Sequence, residues 1–556
     1  MRSPVRDGPV LQGAGQGDPT GNETTMRRRN TRWRRSSAVR VGATVALVGS
    51  VTAVVLRQTP AATSTPAAHQ AMLASSPGTL IGPTYAKSVS FLVLLHSAAQ
   101  PACLMQWAGK AHLSVQWTAG QQWASISGAP RDVDRSFHVS IDDYRSSNGS
   151  VVFAANHQAA VPSGVCGEVA GVGTIHSFVK PAYLDVPNGG VTGSDVARAY
   201  DSLPLIQQGD NGQGETVVFV EGGGFLQSDF NTFAADEKLP PFNVTLIGKN
   251  TGFSDETTMD IEAVHEVAPQ AHLVFFNLSS ISSATSDADL FAQTFIRASK
   301  QFPGAIFSLS LGVCESNPQN FNRSDLVALN TTVASIEAKG STVFASSGDS
   351  GGLDCTPDAN SGEPPQSSFV GDLIPAALPA VTGTGGTALT TDAAGNYVGE
   401  TTWSEPLLSQ GSGGGVSTVF PRPSWQTGVG TGGQIDTNNG REVPDVAADA
   451  DPSTGIFLIE QGHAGEGGGT SLAAPLWAGF TALMDEYLAA NHDHPVGFFN
   501  PILYHLANSS VPYPPFHDIT VGGNDFYLAT PGYDMVTGLG SPDVYNLARD
   551  LKAGKF

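Results

Sequence analysis

GGGTSLAAPLWAG, residues 467–479, decides how the rest of the chain is read. Three glycines without Cβ atoms let the backbone turn sharply and let another chain approach it closely. The apolar residues that follow predict a helix running to about Ala490. Pro475 falls in its first turn, where the early amides have no intrahelical partner. Ser471 therefore stands near a helix N-terminus, where amides and dipole favour developing negative charge. A serine so placed is a nucleophile or a plain N-cap, and only partner residues decide between the two.

Candidate partners lie in DETTMDIEAVHEVAPQAHLVFF, residues 255–276, which predicts a helix to about Val267. Glu256 and Asp260, one turn apart, project from the same face. Carboxylates this close repel, so one tends to keep a proton. That suits a general base with an orienting partner, working in acid. Glu262 and Glu266, spaced the same way, read as an acidic solvated face, and His265 as a surface or packing residue. In TVFASSGDSGG, residues 342–352, an apolar strand ends in a glycine-rich turn that carries Asp349. Asp349 is either an ordinary turn residue or part of a site, because strand ends in open α/β sheets are where ligands bind.

Together these runs resemble the sedolisin family of serine-carboxyl peptidases. FVEGGGF (219–225), VTGTGGTAL (381–389), GGGVSTVFPRPSWQ (413–426) and VPDVAADADPSTG (443–455) carry the same resemblance, in the same order. It covers roughly residues 180–556, and more weakly the region before them. The fold it implies is α/β: a subtilisin-like, doubly wound parallel sheet as catalytic domain, preceded by an α+β propeptide domain. It also implies that Ser471 is the nucleophile, Glu256 the general base, Asp260 the residue orienting Glu256, and Asp349 a protonated acid donating to the oxyanion. Acid is then required, because Asp349 must be neutral to donate, and a histidine base would be charged at that pH. Glu221 matches a family glutamate that extends the hydrogen-bond chain through a tryptophan. Leu311 stands in the tryptophan's place and cannot donate, which leaves Glu221 as an extension or a mere strand-end residue. The expected activity is endopeptidase cleavage of proteins or peptides. The alternatives are tripeptidyl-peptidase action, or an inactive binding protein on this fold.

FHDITVGGNDFYLATPGYDMVTGLGSP, residues 516–542, sets two acidic side chains around a glycine-rich loop that can aim carbonyls inward. Hard oxygen donors of this kind suit calcium, which takes roughly 6–8 of them. The resemblance assigns one Ca2+ to the side chains of Asp518 and Asp534 and the carbonyls of Ile519, Thr530 and Gly532. Asn524 and Asp525 read as turn residues.

A subtilisin-type triad is the rival enzyme, since GTSLAAP also resembles its serine motif. That triad needs Asp, His and Ser in chain order. The sole histidine between Asp349 and Ser471 is His463, outside any helix-opening context, while His265 and His272 come before Asp349.

At 556 residues and 40% hydrophobic content, the chain has room for two or three domains with a large core. Residues 1–179 hold 15 basic and 8 acidic side chains, whereas the remainder holds 13 and 42. So acidic a main part excludes a nucleic-acid binder, which wants a basic footprint. Seven arginines between Arg27 and Arg40 precede the apolar run 41–56, too short for the ~20 residues of a spanning helix and suited to a signal peptide. The expected organisation is 1–57 basic segment with signal peptide or anchor, 58–178 propeptide domain, 179–193 processing linker, and 194–556 peptidase domain with the calcium loop. A secreted monomer held inactive by its own propeptide is expected, a membrane-anchored precursor being the variant. Cys103 and Cys166 fall in the propeptide region and Cys314 and Cys355 in the peptidase region, an even count in each that suggests one disulfide apiece.

Overall fold

A computed structural model describes residues 78–554, apart from 98, 118–122, 147–150, 157–158, 173–174, 176–190, 282, 285, 317–320, 356–371, 406–409, 433–438 and 525–526. The expected signal segment, most of the expected processing linker, and Asp525 lie outside the described residues. Among those described, no helix is long and apolar enough to cross a membrane.

Residues 78–175 build two antiparallel sheets and two helices. One sheet has three strands, centred on Ile141–Ser146; the other has four, in which Val89–Leu95 lies between Trp123–Gly128 and Val169–Val172. Val89, Phe91, Val93 and Leu95 alternate inward along their strand, the period of two expected of a half-buried sheet. With Leu104 and Phe137 from the helices they form a core of their own, in which the rings of Phe91 and Phe137 meet edge to face at 4.9 Å. Cys103 and Cys166 are joined here, with Cα atoms 6.1 Å apart.

The sheet of the larger part runs Tyr397–Thr402, Thr382–Thr391, Thr342–Ser346, Ile306–Leu309, Thr216–Glu221, His272–Asn277, Thr245–Ile247. All these pairings are parallel except that of Tyr397–Thr402, and Val446–Asp449 adds a further parallel pairing to Thr382–Thr391. Apolar strands such as TVVFVE and HLVFFN suit burial on both faces. Along Thr216–Glu221, Val217 and Phe219 enter one apolar layer, with helices Asp255–Val267 and Thr470–Ala490. Val218 and Val220 enter the other, with helices Asp287–Gln301 and Arg323–Glu337. This is the doubly wound α/β arrangement. The chain first builds outward on one side of Thr216–Glu221 and then crosses to Ile306–Leu309 on the other. The topological switch point therefore lies between these two strands, and ligands bind at their carboxyl ends.

Two sequence expectations change here. Glu262 and Glu266 do not face solvent: they are 0% and 4% exposed. Helix Asp255–Val267 is packed all round, so every residue from Thr257 to Val267 is buried. Glu262 accepts the amide of Ile459 at 2.8 Å. His265 resolves as a packing residue, stacked on Phe242 at 3.7 Å with Nε2 2.8 Å from the Pro240 carbonyl.

Candidate active site

The two strands at the switch point end in Glu221 and, one residue past Leu309, in Ser310. Helix Asp255–Val267 starts over these ends, with Ser254 as its cap accepting from the Thr257 amide. Glu256 lies in its first turn, and Asp260 one turn on. Asp260 is fully buried, and Ser310 Oγ lies 2.5 Å from its Oδ2. A second hydrogen bond joins the carboxyls of Asp260 and Glu221, so a proton sits between them. Glu221 Oε2 in turn accepts from Thr257 Oγ1 at 2.8 Å. Glu221 is thus more than a strand-end residue. It reaches Asp260 directly, while Leu311, half-buried, packs into the apolar layer beneath.

Ser471 is the second residue of helix Thr470–Ala490, and the N-cap is Gly469. The plain capping role therefore does not fall to the serine. Its hydroxyl lies near enough to the Glu256 carboxyl to act on it as a donor. Gly469 takes φ +85°, and a Cβ there would come within 2.8 Å of Asp349 Oδ2, so the turn both needs glycine and brings the chain against Asp349. Thr470 fixes that carboxyl: its amide and its Oγ1 both lie 2.8 Å from Asp349 Oδ1. One orphan amide of the helix start is satisfied this way, and Oδ2 is left as the oxygen to carry a proton. Cys314, beyond Ser310, is bonded to Cys355, beyond Asp349, with Cα atoms 5.2 Å apart, which ties the two strand-end loops together.

Burial dominates the electrostatics. It raises the carboxyls of Glu221, Asp260 and Asp349 above their ordinary values, and the charges of Glu221 and Glu256 push Asp260 further. Glu256 is pushed up to about 8, first by burial, with the Ser471 hydrogen bond acting the other way. Glu256 is only half-buried, whereas Asp260 and Glu221 are 0% and 2% exposed. Among the described residues no histidine competes for the role of base: His463 lies exposed on a hairpin strand and His265 is held in the core.

The profile of the subtilase family matches residues 245–495. Kumamolisin of Bacillus sp. (strain MN-32) is 34% identical over 369 residues, which are 63% of this chain and 61% of the kumamolisin chain. Sedolisin of Pseudomonas sp. (strain 101) is 29% identical over 461 residues, 78% of this chain and 75% of its own. The solved structure of Pseudomonas sedolisin, a serine-carboxyl proteinase complexed with two molecules of pseudo-iodotyrostatin, superposes on 66% of this chain and 99% of its own, with a TM-score of 0.56 at 27% identity. The chain is similar to the sedolisin family of serine-carboxyl peptidases.

Three side chains of this site escaped the sequence reading. Thr470 lies inside the quoted serine motif, but its bond to Asp349 spans 121 residues. Ser310 meets Asp260 across 50. Asp354, buried beside Asp349, has its carboxyl pushed up to about 8 by burial and then by the Asp349 charge, and it accepts the Ser350 amide at 3.0 Å. Only folding brings these pairs together.

In the expected calcium loop, the Gly532 amide donates to Asp518 Oδ2 at 3.0 Å. Asp534 accepts the amides of Thr530, Val536 and Thr537 at 2.9–3.0 Å. The Asp518 charge also acts on Asp534, so the two carboxyls are neighbours. The carbonyls of Ile519, Thr530 and Gly532 accept no hydrogen bond, and neither carboxyl has an ion-pair partner, among the described residues. This donor set of free carbonyls and two unneutralised carboxylates fits a hard cation. Asn524 is a turn residue as expected: its Oδ1 accepts the Tyr527 amide at 2.8 Å.

Proposed function

We propose that the protein is an exported, acid-active serine-type endopeptidase, made as a zymogen and held inactive by the domain in its N-terminal region. The observation that carries this reading is the approach of the Ser471 hydroxyl to the Glu256 carboxyl, on which it acts as a donor, backed by the Asp260–Glu221 pair. Ser471 Oγ attacks the scissile carbonyl carbon and its proton passes to Glu256. Asp349, protonated on Oδ2, donates to the oxygen that becomes negative. Glu256 returns the proton to the leaving amine, which departs and leaves an acyl-enzyme. Water then enters, gives a proton to Glu256 and adds to the acyl carbon, and Glu256 passes that proton to Ser471 Oγ as it departs, releasing the acid product. The oxyanion role favours acid, since Asp349 must stay neutral to donate.

The test is cleavage of a denatured protein by purified protein from pH 2 to 8, wild type against Glu256→Gln. Activity confined to acid and lowered roughly 100- to 10,000-fold in the variant is the expected result. An activity peaking near neutrality and surviving the substitution would overturn the reading. Products of varied length mark an endopeptidase, and a ladder of tripeptides marks the exopeptidase alternative.

Asp518 and Asp534, with the carbonyls of Ile519, Thr530 and Gly532, would hold one calcium ion, whose chemistry here is to neutralise two carboxylates and tie the loop together. A ligand bound by the folded state alone stabilises it, by about 2.7 kcal/mol at a free concentration 100-fold above Kd. A chelator is therefore expected to lower the melting temperature, and Asp534→Asn to remove that response. A wild type indifferent to the chelator would count against the ion.

A further inference from the structure

Helix Thr470–Ala490 carries a proline at position 475. In a regular helix the carbonyl of Ser471 would accept the amide four residues on, but a proline has none. The nucleophile's own carbonyl is thus left without its helical partner. Ser310 Oγ fills the gap at 3.0 Å. The same oxygen lies 2.5 Å from Asp260 Oδ2. Ser310 itself is 8% exposed, at the end of the strand beside Thr216–Glu221, so little water competes for either bond.

We propose that Ser310 is a positioning residue that clamps the peptide of the nucleophile to the carboxyl of Asp260 and sets the direction of the proton chain behind the site. A hydroxyl has one proton to give. Donated to the Ser471 carbonyl, it leaves the Ser310 oxygen as an acceptor, so the proton in the short contact comes from Asp260 Oδ2. Asp260 Oδ1 then accepts from Glu221 Oε1, and Glu221 Oε2 accepts from Thr257. Oδ1 and Oε1 are the two oxygens of this pair left without an ordinary donor. The chain runs one way, from Glu221 through Asp260 and Ser310 to Ser471. Its two carboxyls stay neutral, and the negative charge falls to Glu256, where the Ser471 proton must go.

This inference rests on the peptidase reading and is tested with it. Wild type, Ser471→Ala, Ser310→Ala, Ser310→Thr and Ser310→Ala/Pro475→Ala would be assayed in acid for kcat and KM, each well below its own melting temperature. Ser310→Ala is expected to lower kcat roughly 100-fold, the cost of a misplaced reacting group, with KM within about twofold. Ser310→Thr, which keeps the hydroxyl, should recover most of it. The double variant restores an amide to the Ser471 carbonyl but not the link to Asp260, so it should regain melting temperature without regaining kcat. A normal kcat in Ser310→Ala, no recovery in Ser310→Thr, or recovery of kcat in the double variant would overturn the proposal. Wild-type cleavage that survives Ser471→Ala would overturn the peptidase reading beneath it as well.

Discussion

Ser471→Ala is expected to lower kcat/KM for peptide cleavage by roughly 10,000-fold or more, because members of a catalytic triad act as a unit and loss of the nucleophile removes nearly all of their effect. Alanine suits this helix position and takes up less space than serine, so the melting temperature should stay close to that of the wild type. The hydroxyl removed is the one that acts as a donor on Glu256, and no other serine or threonine is shown donating to that carboxyl among the described residues. Self-processing should stop along with cleavage of added substrate, leaving a full-length chain on a gel. A variant that still matures, or that keeps more than about a tenth of wild-type activity, would remove Ser471 from the mechanism.

A second large effect concerns stability against pH, through Glu262. Its carboxyl is pushed up to about 9 from an ordinary 4.5, first by burial, partly offset by the Ile459 amide, and raised further by the charges of Asp229 and Glu460. The folded state therefore holds this proton across a range in which the unfolded chain has lost it. The stabilising contribution is fully present below about pH 4.5 and is lost as pH rises toward 9. At about 1.36 kcal/mol per unit, the loss approaches roughly 3 kcal/mol by pH 7. Glutamine keeps the shape and the acceptor for Ile459 and never ionises. Glu262→Gln is accordingly expected to match wild type in urea unfolding near pH 4 and to exceed it by up to about 3 kcal/mol at pH 7. An equal offset at both pH values would mean that the carboxyl does not titrate in this window. Glu266 and Glu337, raised well above ordinary values by burial, act in the same direction, whereas buried His265, lowered to about 4, acts the other way as pH falls below about 6.5.

Much of the architecture was legible in the sequence. Helix Asp255–Val267 and the helix that starts beside Ser471 were read to within a residue or two, because apolar spacing and the glycine turn are local signals. The parallel sheet was expected from the family resemblance, and its apolar strands suit cover on both faces. Glu262 and Glu266 were misread because spacing alone cannot show that a helix is covered on every side. Glu221 was left undecided because the expected tryptophan is Leu311, whereas in the fold the glutamate meets Asp260 without a tryptophan.

By itself the sequence determined which residues can do chemistry: a serine at a glycine-led helix start, carboxylates one turn apart, and an aspartate in a glycine-rich strand-end turn. These depend on backbone geometry over a few residues, which neighbours in sequence set. Tertiary structure alone decided their partners and their charges. Ser310 meets Asp260 and the carbonyl that Pro475 leaves free, Thr470 aims Asp349, and burial sets which carboxyls keep protons. Hydrogen bonds and desolvation depend on what lies within a few ångströms in space, and packing brings those groups together from strands and helices far apart along the chain.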